Sequence, residues 1–253
     1  MTTDRATLLG CSIDRLDMDE TLDRCREYLD NGHFAQHMSI NAAKLVSLRG
    51  DDRMRQIVEG CDLVSADGQS IVWASRLLGD PLPVRVAGID LMERLLELAE
   101  ERGYRVYILG ARDEVLRTAV AKIEERYPRL ELAGYRDGYF KDEEAGAVAD
   151  EIRAARTDLL FIAMTSPRKE YFLSACGDRS GARLAMGVGG SVDVMAGLTR
   201  RAPRAWQRLG LEWLYRLLQE PRRLAKRYAV TNFVFASMVA GELWRRRLLR
   251  SAD

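Results

Sequence analysis

The sequence predicts an α/β fold, with a mostly parallel sheet flanked by helices and a helical, basic C-terminal appendage. Between residues 105 and 190, short apolar runs alternate with longer stretches of helical periodicity, which is the pattern of βαβ units. A chain of 253 residues that is 47% hydrophobic is long enough to bury a large core. After residue 203 the alternation ends and the pattern becomes helical. We therefore expect a core at 1–198 and an appendage at 199–253.

The first half of the core is predicted to begin with a helix over residues 16–30. Asp17 or Asp19 is placed to cap it, and Leu22, Cys25 and Leu29 recur at helical spacing. The other elements predicted for this half are a strand at 34–41, helices at 42–49 and 51–59, a strand at 61–66, a helix that starts directly after Asp67-Gly68, and an amphipathic helix at 89–103 closed by Gly103.

The second half alternates regularly. The predicted strands are 105–111, 130–138, 158–167 and 182–190, and the predicted helices are 113–128, 142–156 and 169–177. In a parallel sheet, ligands bind beyond the carboxyl ends of the strands. Asp67, Gly110, residues 165–167 and the pair Gly189-Gly190 all fall at such ends. This convergence indicates a binding site without identifying its ligand.

The glycine-rich segment GVGGSVDVMAG, residues 187–197, follows a predicted strand. Glycines at a strand-to-helix turn allow the backbone to approach a phosphate closely. The spacing is not GxGxxG, and the acidic residue expected on a following strand is missing, so a dinucleotide fingerprint is weak. A tight turn without a ligand is an equal alternative for this segment taken alone.

The charges are divided unevenly along the chain. Residues 199–253 hold 13 Lys and Arg against 4 Asp and Glu, whereas the rest of the chain holds 26 against 34. An acidic body with a basic tail predicts an anionic partner for the tail: phospholipid, nucleic acid or a phosphate-bearing substrate.

Within the tail, residues 228–241 carry no charge and lie between the basic segments RRLAKR and WRRRLLR. This apolar stretch is too short to span a bilayer, and it suits a helix lying in the membrane interface. The alternative is a terminal helix docked on the body or in a dimer interface. The sequence shows neither a secretory leader nor a run of 18 uncharged apolar residues, so we expect no transmembrane helix.

Seven sequence segments carry a resemblance to a known family. They are SINAAKL (39–45), VSADGQSIVWASRLLG (64–79), RVAGIDL (85–91), YILGA (107–111), SPRKEYF (166–172), GVGGSVDVMAG (187–197) and RRAPRAWQRLGLEWLYRLLQEPRRLAKRY (200–228). In this order they resemble the WecG/TagA/CpsF glycosyltransferase family. The resemblance covers about residues 8–230, and the last segment is long and very specific.

This resemblance implies a Rossmann-like core and an inverting, metal-independent transfer from a UDP-sugar to a polyprenyl-diphosphate-linked acceptor. The best-known donor is UDP-N-acetylmannosamine; UDP-glucose or UDP-glucuronic acid, used for exopolysaccharide, are alternatives. The UDP-sugar is a substrate, so no cofactor is expected. The basic appendage is taken to seat the enzyme on the anionic inner face of the cell membrane and to help close the active site. We expect no nucleic-acid partner, and a homo-oligomer is possible.

The same resemblance assigns roles to individual residues. Asp67 matches the proposed catalytic base, which an inverting displacement needs in order to deprotonate the acceptor hydroxyl. Ser39 stands where the family usually has threonine, and with Asn41 it should bind the sugar or acceptor. Arg85 is suited to the UDP diphosphate and would replace a metal, and Asp193 would accept from the uracil N–H. The other expected donor-binding residues are Gly110, Lys169, Gly189 and Gly190, and the appendage candidates for reaching the site are Arg216, Arg222, Arg223 and Arg227.

One position departs from the family pattern. The usual PKQE reads Pro167-Arg168-Lys169-Glu170 here, so a lysine replaces a glutamine near the donor. Glutamine offers a donor and an acceptor, whereas lysine offers only donors and a positive charge. We hypothesise that Lys169 contacts an anionic group, either the diphosphate or the carboxylate of a uronic acid donor.

Metal ions and disulfides are not expected. The four cysteines form no CxxC pair, which predicts reduced thiols rather than a disulfide framework or a zinc site. The DMD segment at 17–19 is similar to the DxD metal–diphosphate motif of other glycosyltransferases, but at a helix start N-capping is favoured. Two other functions remain open: a nucleotide-dependent oxidoreductase and a non-catalytic scaffold at the membrane surface.

Overall fold

A computed structural model describes residues 4–250, except for the side chains of Arg223, Leu249 and Arg250. Its strands are β1 (Arg5–Leu8), β2 (Cys11–Asp14), β3 (Ala35–Ile40), β4 (Leu63–Ala66), β5 (Val106–Gly110), β6 (Leu132–Arg136), β7 (Leu159–Ala163) and β8 (Leu184–Gly187). Its α-helices are α1 (Met18–Asn31), α2 (Ala42–Ser47), α3 (Asp52–Glu59), α4 (Gln69–Leu77), α5 (Gly88–Arg102), α6 (Asp113–Arg126), α7 (Ala145–Ala154), α8 (Arg168–Cys176), α9 (Ser191–Met195), α10 (Arg204–Arg208), α11 (Glu212–Gln219) and α12 (Pro221–Arg250).

Six strands form a parallel sheet in the order β4-β3-β8-β7-β5-β6, and helices flank it. The predicted α/β class, the parallel sheet and the helical appendage are therefore confirmed. Because all six strands run in one direction, their carboxyl ends meet at one edge of the sheet. This edge gathers the ends of β4, β3, β8 and β7, which are neighbours in space although far apart in sequence.

Side chains that alternate along the strands separate the core into layers on the two faces of the sheet. In β5, Ile108 packs with α5 and α6, whereas Leu109 packs with α7 and α8. In β3, Met38 and Ile40 join a third cluster with α2, α3 and α4. The central strands β5 and β7 are apolar along their whole length, as expected for strands covered on both faces of a parallel sheet.

The Asp17 prediction is confirmed, since its side chain caps α1. Its carboxylate accepts a hydrogen bond from the Glu20 N–H, and the Glu20 carboxylate accepts one from the Asp17 N–H, each at 2.9 Å. The first acidic residue of the DMD segment is therefore used in a capping box. The four cysteines are free and buried.

The antiparallel hairpin of β1 and β2 is absent from the sequence predictions. Leu9 and Gly10 form its turn, both with positive φ (52° and 83°), as two-residue hairpins require. Asp14 fixes the hairpin to the sheet, because its carboxylate accepts from the Val64 N–H of β4 at 2.7 Å. The same carboxylate also accepts from Arg5 Nε, across the hairpin, at 2.8 Å. The Leu-Gly dipeptide is a weak turn signal, which explains why the pattern alone does not reveal it.

The appendage differs in detail from its predicted form. The stretch 205–219 forms two helices, α10 and α11, rather than one. Gly210 separates them, with a positive φ of 70° and with no space for a side chain, since a Cβ there would lie 2.6 Å from Gln69 Cγ. The break thus seats the appendage directly against α4.

Helix α12 packs on the body through one of its faces. Leu224, Phe235 and Val239 are buried there, and the last two belong to the core cluster of α2, α3 and α4. The docked alternative for the tail is therefore confirmed for this face. Phe233 and Trp244 are 76% and 68% exposed on the same helix. Within residues 4–250, none of the helices combines the length and the hydrophobicity needed to span a bilayer.

Candidate active site

Asp67 lies at the carboxyl end of β4, in the turn that leads into α4. Its N–H donates to the Ile40 carbonyl at 2.8 Å, which continues the pairing of β3 and β4 by one residue. Gly68 follows in extended conformation and its carbonyl accepts the first hydrogen bonds of α4. The chain therefore turns away immediately, and the half-buried Asp67 side chain is left at the edge of the sheet.

Gly88, the first residue of α5, forms one wall of the space around this carboxylate. A Cβ on Gly88 would lie 3.4 Å from Asp67 Oδ2 and 3.3 Å from Ser39 Oγ, so both oxygens face the same point. The Gly88 N–H also donates to the Asp67 carboxylate. Ser39 Oγ is buried and has no hydrogen-bond partner within the described part of the chain. Its hydroxyl is thus available beside the carboxylate.

The surroundings of Asp67 make it more basic than an ordinary aspartate. Burial raises its pKa to about 6, and the nearby Glu212 also raises it, while the Gly88 N–H and Arg85 lower it. A carboxylate with this pKa is ionised at neutral pH and accepts a proton more readily than a solvated one. It therefore has the protonation state and the strength of a general base.

Arg85 connects the site to the appendage. Its Nη1 lies 2.8 Å from Glu212 Oε2 on α11. Arg201 pairs with both Glu212 and Asp90, which completes an ion network between the core and the appendage. An open cleft of about 370 Å³ lies beside this network, and it is lined by Arg85, Arg204, Gln207 and Arg208. Three arginines on one cleft provide a surface suited to a phosphate-bearing ligand.

A buried group of three charges lies at the end of β7. The fully buried carboxylate of Glu170 is 2.9 Å from Lys44 Nζ and 3.5 Å from Lys169 Nζ. Burial favours the neutral acid, but the two lysines outweigh it and lower the pKa of Glu170. Burial, together with the neighbouring Lys44, also lowers the pKa of Lys169. With all three ionised, the group carries one surplus positive charge.

Lys169 extends from this group across the turn that follows β8. A Cβ on Gly187 would lie 3.0 Å from its Cδ and Cε, and one on Gly189 would lie 3.8 Å from its Nζ. The absence of a side chain at residue 187 therefore allows the lysine to cross the turn. Asp67 is one of the charges that stabilise the ammonium of Lys169. Lys169 therefore lies within electrostatic range of Asp67.

Arg216 approaches the same turn from the appendage. A Cβ on Gly190 would lie 2.7 Å from Arg216 Nη2 and 3.4 Å from Asp193 Oδ2. The Nε of Arg216 is buried, without a hydrogen-bond partner among the residues described. Among residues 4–250, no group of three or more His, Cys, Asp or Glu side chains is placed to hold a metal ion.

The model of the glycosyl transferase WecG/TagA/CpsF family matches residues 6–249. The chain belongs to this family. It is also 34% identical, over 209 residues, to the N-acetylglucosaminyldiphosphoundecaprenol N-acetyl-beta-D-mannosaminyltransferase of Bacillus spizizenii. That alignment covers 83% of this chain and 80% of the relative. The recognition made from the seven sequence segments is therefore confirmed.

Most of the residues that the family resemblance suggested lie at one edge of the sheet. Asp67, Ser39 and Gly189 are at the ends of three neighbouring strands, with Lys169 and Arg216 reaching them from α8 and α11. Asn41 is beside them, and its Oδ1 accepts the Lys44 N–H at 3.0 Å as the cap of α2. Their roles toward substrates stay predictions, as do those of Arg85, Gly190 and Asp193.

The remaining candidates lie elsewhere or have another evident role. Gly110, at φ 125°, permits a close approach of strands, because a Cβ there would lie 2.5 Å from the carbonyl carbon of Ala163. Arg222 and Arg227 are exposed on α12, and Arg227 lies over the Tyr228 ring at 5.3 Å. The side chain of Arg223 lies outside the described residues.

Three residues that contribute to the site were absent from the sequence predictions: Lys44, Gly88 and Glu212. Lys44 lies in the motif SINAAKL and Gly88 in RVAGIDL, so their segments, but not their roles, were recognised. Glu212 is separated from Arg85 by 127 positions. An ion pair across that distance depends on how the appendage docks, and no local pattern encodes it.

We predict that Glu212→Gln shifts the pH dependence of the reaction. Glu212 raises the pKa of Asp67, and its loss also frees Arg85, which lowers that pKa. The pKa of Asp67 should then fall, so that its carboxyl is already ionised at a lower pH. The acid limb of the rate profile should therefore move below about pH 6. The matched control is Glu242→Gln, which removes an appendage carboxylate paired with Arg245 and Arg246. An unchanged limb in Glu212→Gln, or an equal shift in both variants, would contradict the electrostatic link.

Proposed function

We propose that this family member transfers a sugar from a UDP-sugar to the hydroxyl of a polyprenyl-diphosphate-linked sugar, with Asp67 as general base. The observation that carries the proposal is the Asp67 carboxylate beside the Ser39 hydroxyl, at the strand ends of a glycosyltransferase fold. The Bacillus spizizenii relative supports the acceptor class, because it is named as an enzyme that acts on an N-acetylglucosaminyldiphosphoundecaprenol.

The proposed reaction is a single displacement with inversion. Asp67 takes the proton of the acceptor hydroxyl as its oxygen bonds to the anomeric carbon. The bond between that carbon and the diphosphate oxygen breaks, and its electron pair leaves with UDP. The hydroxyl of Ser39 is close enough to Asp67 to orient the acceptor by a hydrogen bond.

The leaving diphosphate needs positive charge around it, and in the proposed reaction protein cations rather than a metal ion supply that charge. Arg85 lines the open cleft and lowers the pKa of Asp67, and its planar guanidinium can contact two phosphate oxygens at once. Arg216, beside Gly190, would contribute from the appendage. Such fixed charges stabilise the negative charge that develops on the leaving group.

The donor is proposed from the relative's sugar and from the position of Lys169. The relative is named for transfer of N-acetyl-β-D-mannosamine, and UDP-N-acetylmannosamine is the first candidate here. Lys169 extends from its contact with the buried Lys44–Glu170 pair to the turn after β8. This supports a contact between Lys169 and an anionic part of the donor, either its diphosphate or a uronic acid carboxylate.

The proposed location is the inner surface of the cell membrane, with the appendage as the point of attachment. Val230, Phe233, Trp244 and Leu248 are exposed on α12. At 100° per residue they share one face, opposite the docked Phe235 and Val239. The exposed Arg222 and Lys226 continue this face in the first turns of the helix, and the exposed Arg245 lies at its side. An apolar face with flanking cations suits an anionic lipid surface.

A transfer assay tests the function and the donor together. Purified protein, a polyprenyl-diphosphate-N-acetylglucosamine acceptor and EDTA would be incubated with UDP-N-acetylmannosamine, UDP-glucose or UDP-glucuronic acid, and UDP release would be measured. We expect acceptor-dependent release with one donor. If Lys169 binds the diphosphate, Lys169→Gln should weaken the binding of all donors equally. If Lys169 binds a uronic acid carboxylate, the variant should weaken the binding of the uronic acid donor selectively. No acceptor-dependent release with any donor would contradict the proposed function, and unchanged kinetics in Lys169→Gln would contradict the contact.

A further inference from the structure

An apolar groove of about 340 Å³ runs between α4 and α12. On the α4 side it is lined by Ser70, Trp73 and Leu77, and on the α12 side by Phe235, Val239 and Leu243. Phe235 and Val239 are buried at its base, whereas Trp73 and Leu77 are 51% and 61% exposed at its rim. Exposed large apolar residues around an apolar depression mark a binding surface rather than part of the core.

One end of the groove lies next to the catalytic carboxylate. Ser70 belongs to the first turn of α4, three positions after Asp67. A Cβ on Gly68 would lie 3.7 Å from Ser70 Oγ and 3.7 Å from Asn41 Cβ, so this first turn also contacts the acceptor side of the site. A molecule in the groove therefore reaches the space around Asp67 within one helical turn.

The long side of the groove opens toward the exposed face of α12. Ala236 and Ala240 line it, and Ala240 lies between the docked face, which holds Val239, and the exposed face, which holds Phe233 and Trp244. The groove is thus continuous with the apolar surface that the proposed function places against lipid. An apolar chain can pass from that surface to the active site without crossing a charged region of these two helices.

A cationic cleft borders the same end of the groove. Gly210 contacts Gln69 and Trp73 of α4, since a Cβ there would lie 2.6 Å from Gln69 Cγ and 3.3 Å from Trp73 Cη2. This contact joins the groove to the cleft lined by Arg204 and Arg208. The two surfaces together match a molecule with an anionic head and a long apolar chain, rather than a peptide or a second copy of a charged surface.

We propose that the groove between α4 and α12 binds the prenyl chain of the lipid-linked acceptor and leads it from the bilayer surface to Asp67. This inference rests on the proposed function, since it names the part of the molecule that holds the acceptor's lipid. It assigns the diphosphate of the acceptor to Arg204 and Arg208, next to the groove, and leaves Arg85 to the donor. Prenyl length should therefore determine the KM for the acceptor.

Ala240→Trp tests the inference because it fills the groove from the exposed side of α12, away from the catalytic residues. Two acceptors with the same N-acetylglucosamine diphosphate head would be compared, one with a long prenyl chain and one with a short alkyl chain. In the wild type we expect the long chain to have a KM lower by roughly tenfold or more. In Ala240→Trp this advantage should largely disappear, with little change for the short chain. Ala229→Trp, on an exposed position of α12 outside the groove, should behave as the wild type.

Binding of a fluorescent polyprenyl phosphate, measured without donor, separates this inference from the proposed function. If no acceptor is glycosylated but the probe binds the wild type and Ala229→Trp more tightly than Ala240→Trp, the result contradicts the proposed transferase function. It still supports the groove as a binding site for the prenyl chain. Equal chain-length dependence and equal probe binding in all three proteins would overturn the groove. So would a change of sedimentation mass in Ala240→Trp alone, because the groove would then be an interface between copies. Equal binding of the probe and of a phospholipid of the same chain length would also overturn it.

Discussion

Asp67→Asn is expected to lower kcat for sugar transfer by about a thousandfold while changing the KM for the donor little. General base catalysis contributes roughly 10² to 10⁴ in rate, and the amide cannot accept the proton of the attacking hydroxyl. The amide keeps the size of the carboxylate, and its oxygen can still accept the Gly88 N–H. UDP release with saturating donor and acceptor measures the effect.

Asp67→Glu, which keeps a base but displaces it, should retain more activity than Asp67→Asn. A kcat above a tenth of the wild type in Asp67→Asn would exclude Asp67 as the base.

The same substitution is expected to stabilise the protein at high pH. The pKa of Asp67 is about 6 in the folded state against an ordinary value of 3.8, so folding is disfavoured once the unfolded chain ionises. This destabilisation develops as pH rises from about 4 to about 6, and it reaches the order of 3 kcal/mol above that range. Asparagine does not ionise, so Asp67→Asn lacks this destabilisation. Urea unfolding at pH 4 and pH 8 should show a free energy of unfolding that favours Asp67→Asn increasingly with pH.

Arg85→Ala is expected to lower kcat/KM for the UDP-sugar by about a hundredfold or more. Removing one preorganised donor that stabilises developing negative charge typically lowers the rate by that amount. Arg85→Lys should recover only part of the loss, because the ammonium cannot contact two phosphate oxygens in the same fork. Donor kinetics at saturating acceptor would measure both variants.

The control for Arg85 must separate substrate binding from docking of the appendage, since Arg85 also pairs with Glu212 at 2.8 Å. Glu212→Ala removes that pair but leaves the guanidinium. If Arg85 acts on the donor, Arg85→Ala should be far more damaging than Glu212→Ala, and the double variant should resemble Arg85→Ala. Equal losses in the two single variants would show that Arg85 acts only through the appendage.

The sequence predicted the part of the site that depends on strand ends. A parallel sheet brings the carboxyl ends of its strands together, so Asp67 after β4 and Gly189 after β8 could be placed at one edge from the pattern alone. The assignment of Asp67 as a base needed more, because a carboxylate before glycine is also an ordinary turn. The family motif supplied it, and the contacts with Gly88 and Ser39 now give it a physical setting.

The contacts between distant segments could not be predicted from the sequence. The buried pair of Lys44 with Glu170 joins α2 to α8, and its stability depends on the exclusion of water from both side chains. Local patterns contain no signal for such a pair. Lys169 was identified as a departure from the family motif, but its neighbours Lys44 and Glu170, which determine its charge, became evident only in the fold.

The terminal helix shows why composition left two alternatives open. The uncharged stretch 228–241 suits either docking or lipid contact, because both need apolar residues. In the structure, Phe235 and Val239 serve the first purpose, whereas Phe233 remains exposed. A helix with apolar residues on two opposite faces gives no clear one-sided pattern, so the docked face could not be identified before the body was in place.

The most direct test of the account is the pH dependence of sugar transfer by wild type and Asp67→Asn, measured in EDTA with saturating substrates. We predict that the wild-type kcat rises about tenfold per pH unit below about pH 6 and levels off above it, since only ionised Asp67 acts as the base. The residual rate of Asp67→Asn should lack this limb. A wild-type profile that is flat between pH 4.5 and 8, or the same limb in both proteins, would contradict the assignment of Asp67 as the group that deprotonates the acceptor.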